Sequence, residues 1–380
     1  MPAALPPEVP RVIELIRGEP LAVAIVVAVV GLAAIALVAL LLRRRSRTHG
    51  SKFRRVLAKQ DAVTVLLHPN PDPDAMASAL GVAHLGSMVD TTTDICYSGR
   101  IAHQENRAFR TVLDVDFERI EAATDLPNTP VVLVDHNEAR GFQGCEGIRP
   151  IAVVDHHPGD GYGSNFTDVR EEYGACATII AEYFQGLGAT PGDQGLPSGV
   201  ATGLLYGILA DTSHLTRGAS RADFDAAAYL SPGVDSDALD RIANPPVDAD
   251  VLDTVATAIS ERDVRGPFAV SDVGEITNPD SVPQAADELL QLEGITAVVV
   301  FGSNGEELYL SGRSRDDRVH MGDALSMAVD EIAMSEAGGH ARMGGGRVSV
   351  PHLEGLRPDS GITRDVFKDR LFDAMAGDVS

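Results

Sequence analysis

The sequence predicts an α/β fold class, in which a domain with a doubly wound, mainly parallel sheet precedes a second, smaller α/β domain. Three short apolar runs at 62–68, 131–135 and 151–157 alternate with helical patterns, and each run ends in Asp or His. Runs that are apolar throughout are typical of parallel strands buried on both faces, and alternation with helices indicates βαβ units. The 380 residues suffice for two hydrophobic cores.

The predicted elements assign residues 60–234 to the first domain and residues 251–380 to the second. A polar stretch with two prolines, 235–250, is predicted to be the linker. The first domain has helical patterns at 73–88, 174–186 and 199–209. The second has strand patterns at 268–276, 296–302 and 308–314, a helical pattern at 322–334 and a glycine-rich turn at 337–346.

The N-terminal region predicts a membrane anchor. Residues 21–42 are all apolar or Gly, and 22 helical residues at about 1.5 Å each span a hydrocarbon core of roughly 30 Å. The arginines that follow place residues after 42 in the cytoplasm, so we expect a single-pass membrane protein with cytoplasmic catalytic domains. A cleaved signal peptide is the competing interpretation. Residues 1–20 are interpreted as an outer tail, and the basic segment 43–59 as a stop-transfer flank or a contact with anionic lipids.

Charge limits the classes of partner. The chain has 55 acidic and 31 basic residues and a net charge of −24, and only three of the basic residues are lysines. This composition predicts a halophilic host, with a haloarchaeon as the first choice, and the alternative is an ordinary acidic enzyme from a GC-rich genome. It argues against non-specific duplex DNA binding, which requires a basic face. Three cysteines without metal-like spacing indicate buried thiols in a reducing compartment.

The first chemical motif is HPNPDPD, which occupies residues 68–74 and follows the first apolar run. His68, Asp72 and Asp74 stand at the end of a strand and the start of a helix, where Pro73 suits the first turn. An imidazole and two carboxylates so close together suit a divalent metal. The alternative is that Asp72 is a helix N-cap and Asp74 a first-turn acid.

Three further motifs add acids and imidazoles at predicted element ends. Asp135 ends the second apolar run, Asp155-His156-His157 ends the third, and Asp211 follows an apolar helical run. Each alone is more often a cap, a turn former or a surface polar group. Because ligands of parallel α/β sheets bind beyond the carboxyl ends of the strands, we expect all four motifs to meet at one edge.

The predicted ligands favour a pair of divalent ions, with Mn²⁺ as the first choice. Carboxylate and imidazole together favour Mn, Fe or Co over Mg, and the absence of thiolates counts against structural zinc. Two such ions share a water, lower its pKa and neutralise phosphoryl charge during in-line attack.

HPNPDPDA, VVLVD, VVDHH and GILADT resemble, in order and spacing, the four motifs of the DHH phosphoesterase superfamily. That superfamily includes RecJ nucleases, nanoRNase/pAp phosphatases, GdpP-type cyclic-di-AMP phosphodiesterases and family II pyrophosphatases. The resemblance covers about residues 60–350. It implies that the metal ligands are His68, Asp72, Asp74, Asp135, His156 and Asp211. It further implies that Asp135 bridges the ions, His157 faces the substrate phosphate and Asp155 orients the histidine pair.

The second domain resembles the DHH-associated C-terminal domain of nanoRNase-like and GdpP-like enzymes. The resemblance implies that Arg313 and the loop of Gly338, Gly339 and His340 bind substrate. Arg315 and Arg342 are further candidates, although arginines in such positions are more often surface residues. Arginine grips phosphate through two donors, and glycines let backbone N–H groups approach an anion. Taken alone, the glycine loop is better explained as a plain turn.

The sequence therefore favours a phosphodiesterase of small nucleotides: cyclic-di-AMP, its linear dinucleotide, short single-stranded oligoribonucleotides or pAp. RecJ-like exonuclease action, pyrophosphatase action and a non-catalytic membrane-bound nucleotide sensor are the alternatives. Two departures leave the substrate open: VDHNE at 134–138 is closer to family II pyrophosphatases, and two glycines precede His340 where many relatives have three. The oligomeric state is also open, a homodimer being one option.

Overall fold

The computed structural model describes residues 24–34, 48–101, 103–316, 318–355 and 361–377. The chain divides into two compact units, Met1–Pro245 and Pro246–Ser380. The helices of the first unit are α1 (His49–Leu57), α2 (Pro73–Ser87), α3 (Gln104–Val112), α4 (Cys176–Leu187), α5 (Ser198–Asp211), α6 (Arg221–Leu230) and α7 (Ser236–Ala243). Its strands are β1 (Ala62–Leu66), β2 (Thr92–Tyr97), β3 (Glu118–Arg119), β4 (Val131–Val134), β5 (Ala152–Asp155) and β6 (Phe166–Val169).

The first unit is built on a six-stranded sheet in the order β3-β2-β1-β4-β5-β6. All five strand pairs are parallel, which confirms the predicted parallel α/β domain. The chain runs outward from β1 through β2 to β3, then returns to β4 and runs the other way. The carboxyl ends of β1 and β4 therefore flank the point where the winding reverses, which is where such sheets bind ligands.

The two faces of this sheet are covered differently. Val63 and Val65 of β1 belong to a large core that includes buried residues of α1, α2, α4 and α5. Leu66 of β1 points into a smaller core with Leu133, and partly buried residues of the loops such as Phe142 pack on it. The second face is thus covered by connecting segments with short 3₁₀ turns, and the helices gather on the first.

The second unit has a six-stranded sheet of mixed direction. Its strands are β7 (Arg262–Arg265), β8 (Phe268–Glu275), β9 (Ala297–Asn304), β10 (Glu307–Ser314), β11 (Ser335–Gly339) and β12 (Met343–Ser349). Its helices are α8 (Ala249–Ser260), α9 (Ser281–Leu289), α10 (Met321–Val329), α11 (Val350–Glu354) and α12 (Arg364–Ala376). The order is β11-β12-β10-β9-β8-β7, with β8 and β9 parallel and the other pairs antiparallel. Residues of α10 and α12 form one core, and those of α8 and α9 form another.

Two predicted connections turn out to have regular structure. Helices α7 and α8 occupy most of the predicted linker 235–250, and the boundary between the units falls at Pro245 and Pro246. The prediction of a glycine-rich turn over 337–346 was wrong, because β11 and β12 form a hairpin there, with Gly338 opposite Gly345. Glycine weakens a strand. Here β11 lies so close to the start of α10 that a Cβ added at Gly322 would be 2.5 Å from the backbone of Gly339.

The predicted membrane helix 21–42 falls only in part within the described residues. Residues 24–34 are helical with exposed side chains. Within the described ranges, no helix combines the length and apolar character needed to cross a membrane. Residues 21–23 and 35–42 lie outside the described residues, as do the predicted tail 1–20 and residues 43–47 of the basic segment.

Candidate metal centre

His68 and Asp72 follow β1 and come together at the carboxyl end of the sheet. Asp72 is the N-cap of α2, and its Oδ1 accepts a hydrogen bond from the Ala75 N–H at 3.0 Å. His68 Nε2 lies 3.5 Å from Asp72 Oδ2 and 3.5 Å from Asp135 Oδ2. The cap interpretation of Asp72 is therefore correct, and it leaves the second oxygen directed toward His68.

Asp135 follows β4 and lies in the middle of the centre. Its φ is 61°, a left-handed conformation that is uncommon outside glycine, and its side chain is buried. Its backbone N–H donates to Val154 O at 3.0 Å, which extends the β4–β5 pairing by one residue. Its Oδ1 lies 3.3 Å from His156 Nε2, so this carboxylate stands between His68 and His156.

Asp155 organises the histidine pair at the end of β5. Its Oδ1 accepts from the backbone N–H of His156 at 2.8 Å and of His157 at 3.1 Å. The same oxygen lies 2.9 Å from His157 Nδ1. One buried carboxylate thus holds the turn that presents both imidazoles.

Asp74 is held by the N-terminus of α4. Its Oδ2 accepts from the Cys176 N–H at 2.6 Å and its Oδ1 from the Ala177 N–H at 2.8 Å. Helix α4 has no side-chain cap of its own residues, so Asp74 satisfies its first donors, and the helix dipole favours the carboxylate.

Asp211, at the last turn of α5, completes the arrangement. His156 Nε2 lies 3.3 Å from Asp211 Oδ2 and 3.9 Å from Asp74 Oδ2. Within the described ranges, three overlapping groups have ligand atoms within 4.8 Å of one another. They are His68 with Asp72 and Asp135, Asp74 with His156 and Asp211, and Asp135 with His156 and His157.

The crowding of carboxylates changes the proton affinities of the site. Burial alone would lower the pKa of His68, but Asp135 and Asp72 outweigh it and raise that pKa to about 10. Burial would also lower the pKa of His156, but Asp135 and Asp211 outweigh it and raise that pKa to about 12. Burial, helped by Asp135, raises the pKa of Asp74 well above its usual range. The clustered acids thus raise the proton affinity of the two imidazoles that lie between them.

The residues fit bound divalent cations. Asp135 Oδ1 and Oδ2 and His156 Nε2 are buried and make no hydrogen bond to the described part of the chain. A buried polar atom without a partner lowers the stability of the fold, so these three atoms indicate that a ligand binds between them. Carboxylates and imidazoles without thiolates are the donor set of Mn²⁺-type ions.

The predicted substrate-binding residues lie in the second unit. Arg313, on β10, donates to Asp287 from Nε at 2.6 Å and from Nη2 at 3.3 Å, and its Nη1 donates to Ser311 Oγ at 2.9 Å. Gly338 and Gly339 lie in β11, whereas His340 in the hairpin turn and Arg315 after β10 are exposed. Arg313 is therefore already engaged by an acid.

His136 is a residue of the centre that the motif analysis did not single out. It is buried, its Nδ1 lies 2.8 Å from Val134 O, and its ring meets that of His68 edge-on at 6.2 Å. Burial lowers its pKa to about 4, and its Nε2 makes no hydrogen bond to the described residues. The available signal was its place in VDHNE, directly after Asp135.

Fold and site together define a class: a parallel α/β domain whose sheet edge carries a carboxylate–imidazole centre for divalent cations. The description "DHH family, N-terminal domain" matches residues 62–208, and "DHHA1 domain" matches residues 265–357. Residues 62–208 therefore form an N-terminal domain of the DHH family, and residues 265–357 form a DHHA1 domain.

Three relatives illustrate this similarity. An uncharacterized protein of Methanocaldococcus jannaschii is 35% identical over 271 residues, which cover 71% of this chain and 55% of the relative. Cyclic-di-AMP phosphodiesterase GdpP of Geobacillus thermodenitrificans is 26% identical over 297 residues, covering 72% of this chain and 44% of GdpP. A probable manganese-dependent inorganic pyrophosphatase of Bacillus cereus is 28% identical over 192 residues, covering 47% of this chain and 58% of that protein. The chain spans about half the length of these relatives.

Proposed function

We propose that the chain is a metal-dependent phosphodiesterase that hydrolyses small nucleotides with two divalent ions, most readily Mn²⁺. The proposal rests on six side chains whose ligand atoms lie close enough, within overlapping groups, to bind common ions: His68, Asp72, Asp74, Asp135, His156 and Asp211. Two overlapping groups share Asp135, which is the arrangement that a bridging carboxylate needs.

The side chains have separate roles in this proposal. Bound ions would activate water and neutralise the phosphoryl group during in-line attack. Asp155 holds His157 Nδ1 at 2.9 Å, and this hydrogen bond raises the pKa of His157. His157, whose side chain is 48% exposed, would donate from its other nitrogen to a phosphoryl oxygen.

The extent of similarity supports a nucleotide substrate. The match to the cyclic-di-AMP phosphodiesterase covers 72% of this chain, which is more than the first unit, Met1–Pro245, can supply, so it extends into the second unit. The 47% matched to the pyrophosphatase can lie within the first unit alone. Cyclic-di-AMP, its linear dinucleotide, short oligoribonucleotides and pAp are the candidates, with Arg313, Arg315, Gly338, Gly339 and His340 proposed to hold a phosphate.

Pyrophosphatase action is the second candidate, because VDHNE at 134–138 resembles that branch. The purified full-length chain, with Mn²⁺ and at low and high KCl, should be assayed on a panel of these substrates and pyrophosphate. We expect mononucleotides from a dinucleotide or cyclic dinucleotide. Turnover of pyrophosphate alone would show that the chain is a pyrophosphatase. Turnover of long single strands alone would favour an exonuclease. Binding of a nucleotide without turnover would favour a sensor.

We also propose that residues 21–42 anchor the chain in the cell membrane, with both domains in the cytoplasm. The 22-residue apolar run and the arginines after it support this placement. The full chain should sediment with membranes after a carbonate wash, and a chain lacking residues 1–47 should not. Equal recovery of both in the supernatant would contradict the anchor.

A further inference from the structure

His156 is oriented by a backbone carbonyl. Its Nδ1 lies 3.1 Å from Tyr173 O, and a carbonyl oxygen only accepts, so Nδ1 must carry the proton. With the proton on Nδ1, Nε2 is the nitrogen left to bind a cation among Asp74, Asp135 and Asp211. Metal-binding histidines require this division of roles between their two nitrogens.

The Tyr173 carbonyl belongs to a turn that follows β6 in the chain and is hydrogen-bonded to the end of β5. The Arg170 N–H donates to Asp155 O at 3.0 Å, and the Tyr173 N–H donates to Arg170 O at 3.1 Å. These bonds place the turn beside the histidine pair, but neither of them holds the Tyr173 carbonyl itself.

The side chains of the turn are held by a buried ionic cluster. Arg170 donates from Nε and Nη2 to Asp168 on β6 at 2.9 and 2.8 Å, and from Nη1 to Glu182 on α4 at 2.5 Å. Nη1 also donates to the Tyr173 hydroxyl at 3.0 Å, and that hydroxyl donates to Glu182 at 2.8 Å. The guanidinium lies 5.0 Å above the Tyr173 ring.

The arginine and the aspartate of this cluster are shielded from solvent, whereas Glu182 is 34% exposed. The Arg170 side chain is 14% exposed and that of Asp168 7%, and Tyr183 donates its hydroxyl to Asp168 at 2.6 Å. Burying such a pair adds little net stability compared with apolar packing, whereas it does impose one geometry. The geometry imposed here is the position of Tyr173.

We propose that Arg170, Glu182 and the Tyr173 hydroxyl are positioning residues that brace the Tyr173 carbonyl against His156 and so select its metal-binding tautomer. The inference rests on the proposed two-ion centre and deepens it. Because His156 belongs to the group with Asp74 and Asp211, and not to that of His68 and Asp72, the brace acts on one of the two ions.

Mn²⁺ titration of the full-length chain, followed by electron paramagnetic resonance of free Mn²⁺, tests the brace. Tyr173→Phe and Glu182→Gln are conservative, and Glu172→Gln removes an exposed acid of the same turn as a matched control. Removing a residue that holds a metal ligand in place typically weakens metal binding about 10- to 100-fold. We expect a loss in that range for one of two Mn²⁺ ions in both variants, with the other ion and the control within about 3-fold of wild type.

The outcomes separate this inference from the proposed function. If wild type binds no Mn²⁺, the two-ion centre fails and the brace fails with it. If wild type binds two ions and the variants bind both equally well, the brace alone is wrong. An equal loss at both ions, together with a lowered melting temperature, would assign the cluster a merely structural role and would also overturn the inference.

Discussion

Asp135 combines properties that no ordinary turn residue needs. It is buried, it adopts φ 61°, and both its oxygens lack a hydrogen bond within the described part of the chain. A non-glycine residue in such a conformation costs about 1–3 kcal/mol, and backbone strain of this kind concentrates at functional sites. The strain is explained if the carboxylate must stand between His68 and His156.

Asp135→Asn should abolish Mn²⁺-dependent hydrolysis and weaken binding of both ions, because an amide cannot bridge two cations. Asparagine tolerates the left-handed backbone, so the fold should persist. Asp90→Asn is the matched control, since Asp90 is exposed with φ 60°. Calorimetric Mn²⁺ titration and hydrolysis rates provide the measurement, and retention of two tight ions in Asp135→Asn would contradict the bridging role.

Asp287 engages Arg313, the residue proposed to hold a phosphate. It engages two nitrogens of the guanidinium, so a substrate phosphate has to compete with it. If Arg313 grips a non-reacting phosphate, Asp287→Ala should lower KM several-fold with kcat unchanged, and Arg313→Ala should raise KM. Steady-state kinetics decide the point, and an unchanged KM in both variants would make the pair a purely structural link between β10 and α9.

At the scale of elements, close helix packing places the acids. A Cβ added at Gly207 of α5 would lie 2.8 Å from Ala77 Cβ on α2, 3.2 Å from Ala177 Cβ on α4 and 3.2 Å from Asp74 Cα. Three helices therefore meet beside the metal centre with room only for a hydrogen. This contact fixes the position of Asp74 relative to Asp211, which ends the same helix as Gly207.

Gly207→Ala should lower the free energy of unfolding by about 1–3 kcal/mol and weaken Mn²⁺ binding, since the helices must separate. Gly199→Ala lies in the same helix with no atom within 4 Å of the added Cβ. It should leave binding unchanged and stabilise by up to about 1 kcal/mol. Urea unfolding and Mn²⁺ titration of both variants test this, and equal behaviour of the two would refute the packing argument.

The cluster on β6 predicts a pH dependence of stability. Burial alone would raise the pKa of Asp168, but hydrogen bonds from Arg170 and Tyr183 outweigh it and lower that pKa. The contribution of Asp168 to the free energy of unfolding is therefore complete above its pKa in the unfolded chain, about 4. It is lost as the pH falls through its lower pKa in the folded protein.

Asp168→Asn should cost about 3–5 kcal/mol at neutral pH, because it leaves Arg170 buried without its main partner. The difference in stability between wild type and this variant should narrow as pH falls below about 4. Urea unfolding across pH measures it, with Asp90→Asn as the exposed control. A difference that stays constant down to pH 2 would contradict the assigned pKa shift.

At the scale of the whole molecule, the sequence predicted the parts with strong local signals. The apolar runs predicted β1, β4 and β5, and the motifs at their ends marked the residues that the structure brings together. Strands β2, β3 and β6 were missed. Strand β3 has only two residues, and the sequences of β2 and β6, TTDICY and FTDV, lack the continuous apolar run that marks β1, β4 and β5. The hairpin of β11 and β12 was missed because glycines have low strand propensity and only packing against α10 holds them.

The unpredicted parts of the site depend on contacts between distant residues. Asp74 is held by Cys176 and Ala177, and Arg170 by Glu182, so no local pattern could reveal either arrangement. His136 was missed for a different reason: its partner is the backbone carbonyl of Val134, two residues earlier, and a backbone contact leaves no mark in the residue types. Such contacts follow from the topology of the sheet, which brings separate motifs to one edge.

Anomalous diffraction at the manganese absorption edge, from crystals of the full-length chain grown with Mn²⁺, tests the two-ion centre most directly. We predict two peaks about 3.5–4 Å apart. Asp135 should touch both, His68 and Asp72 one, and Asp74, His156 and Asp211 the other. A single peak, or peaks away from Asp135, would contradict the account.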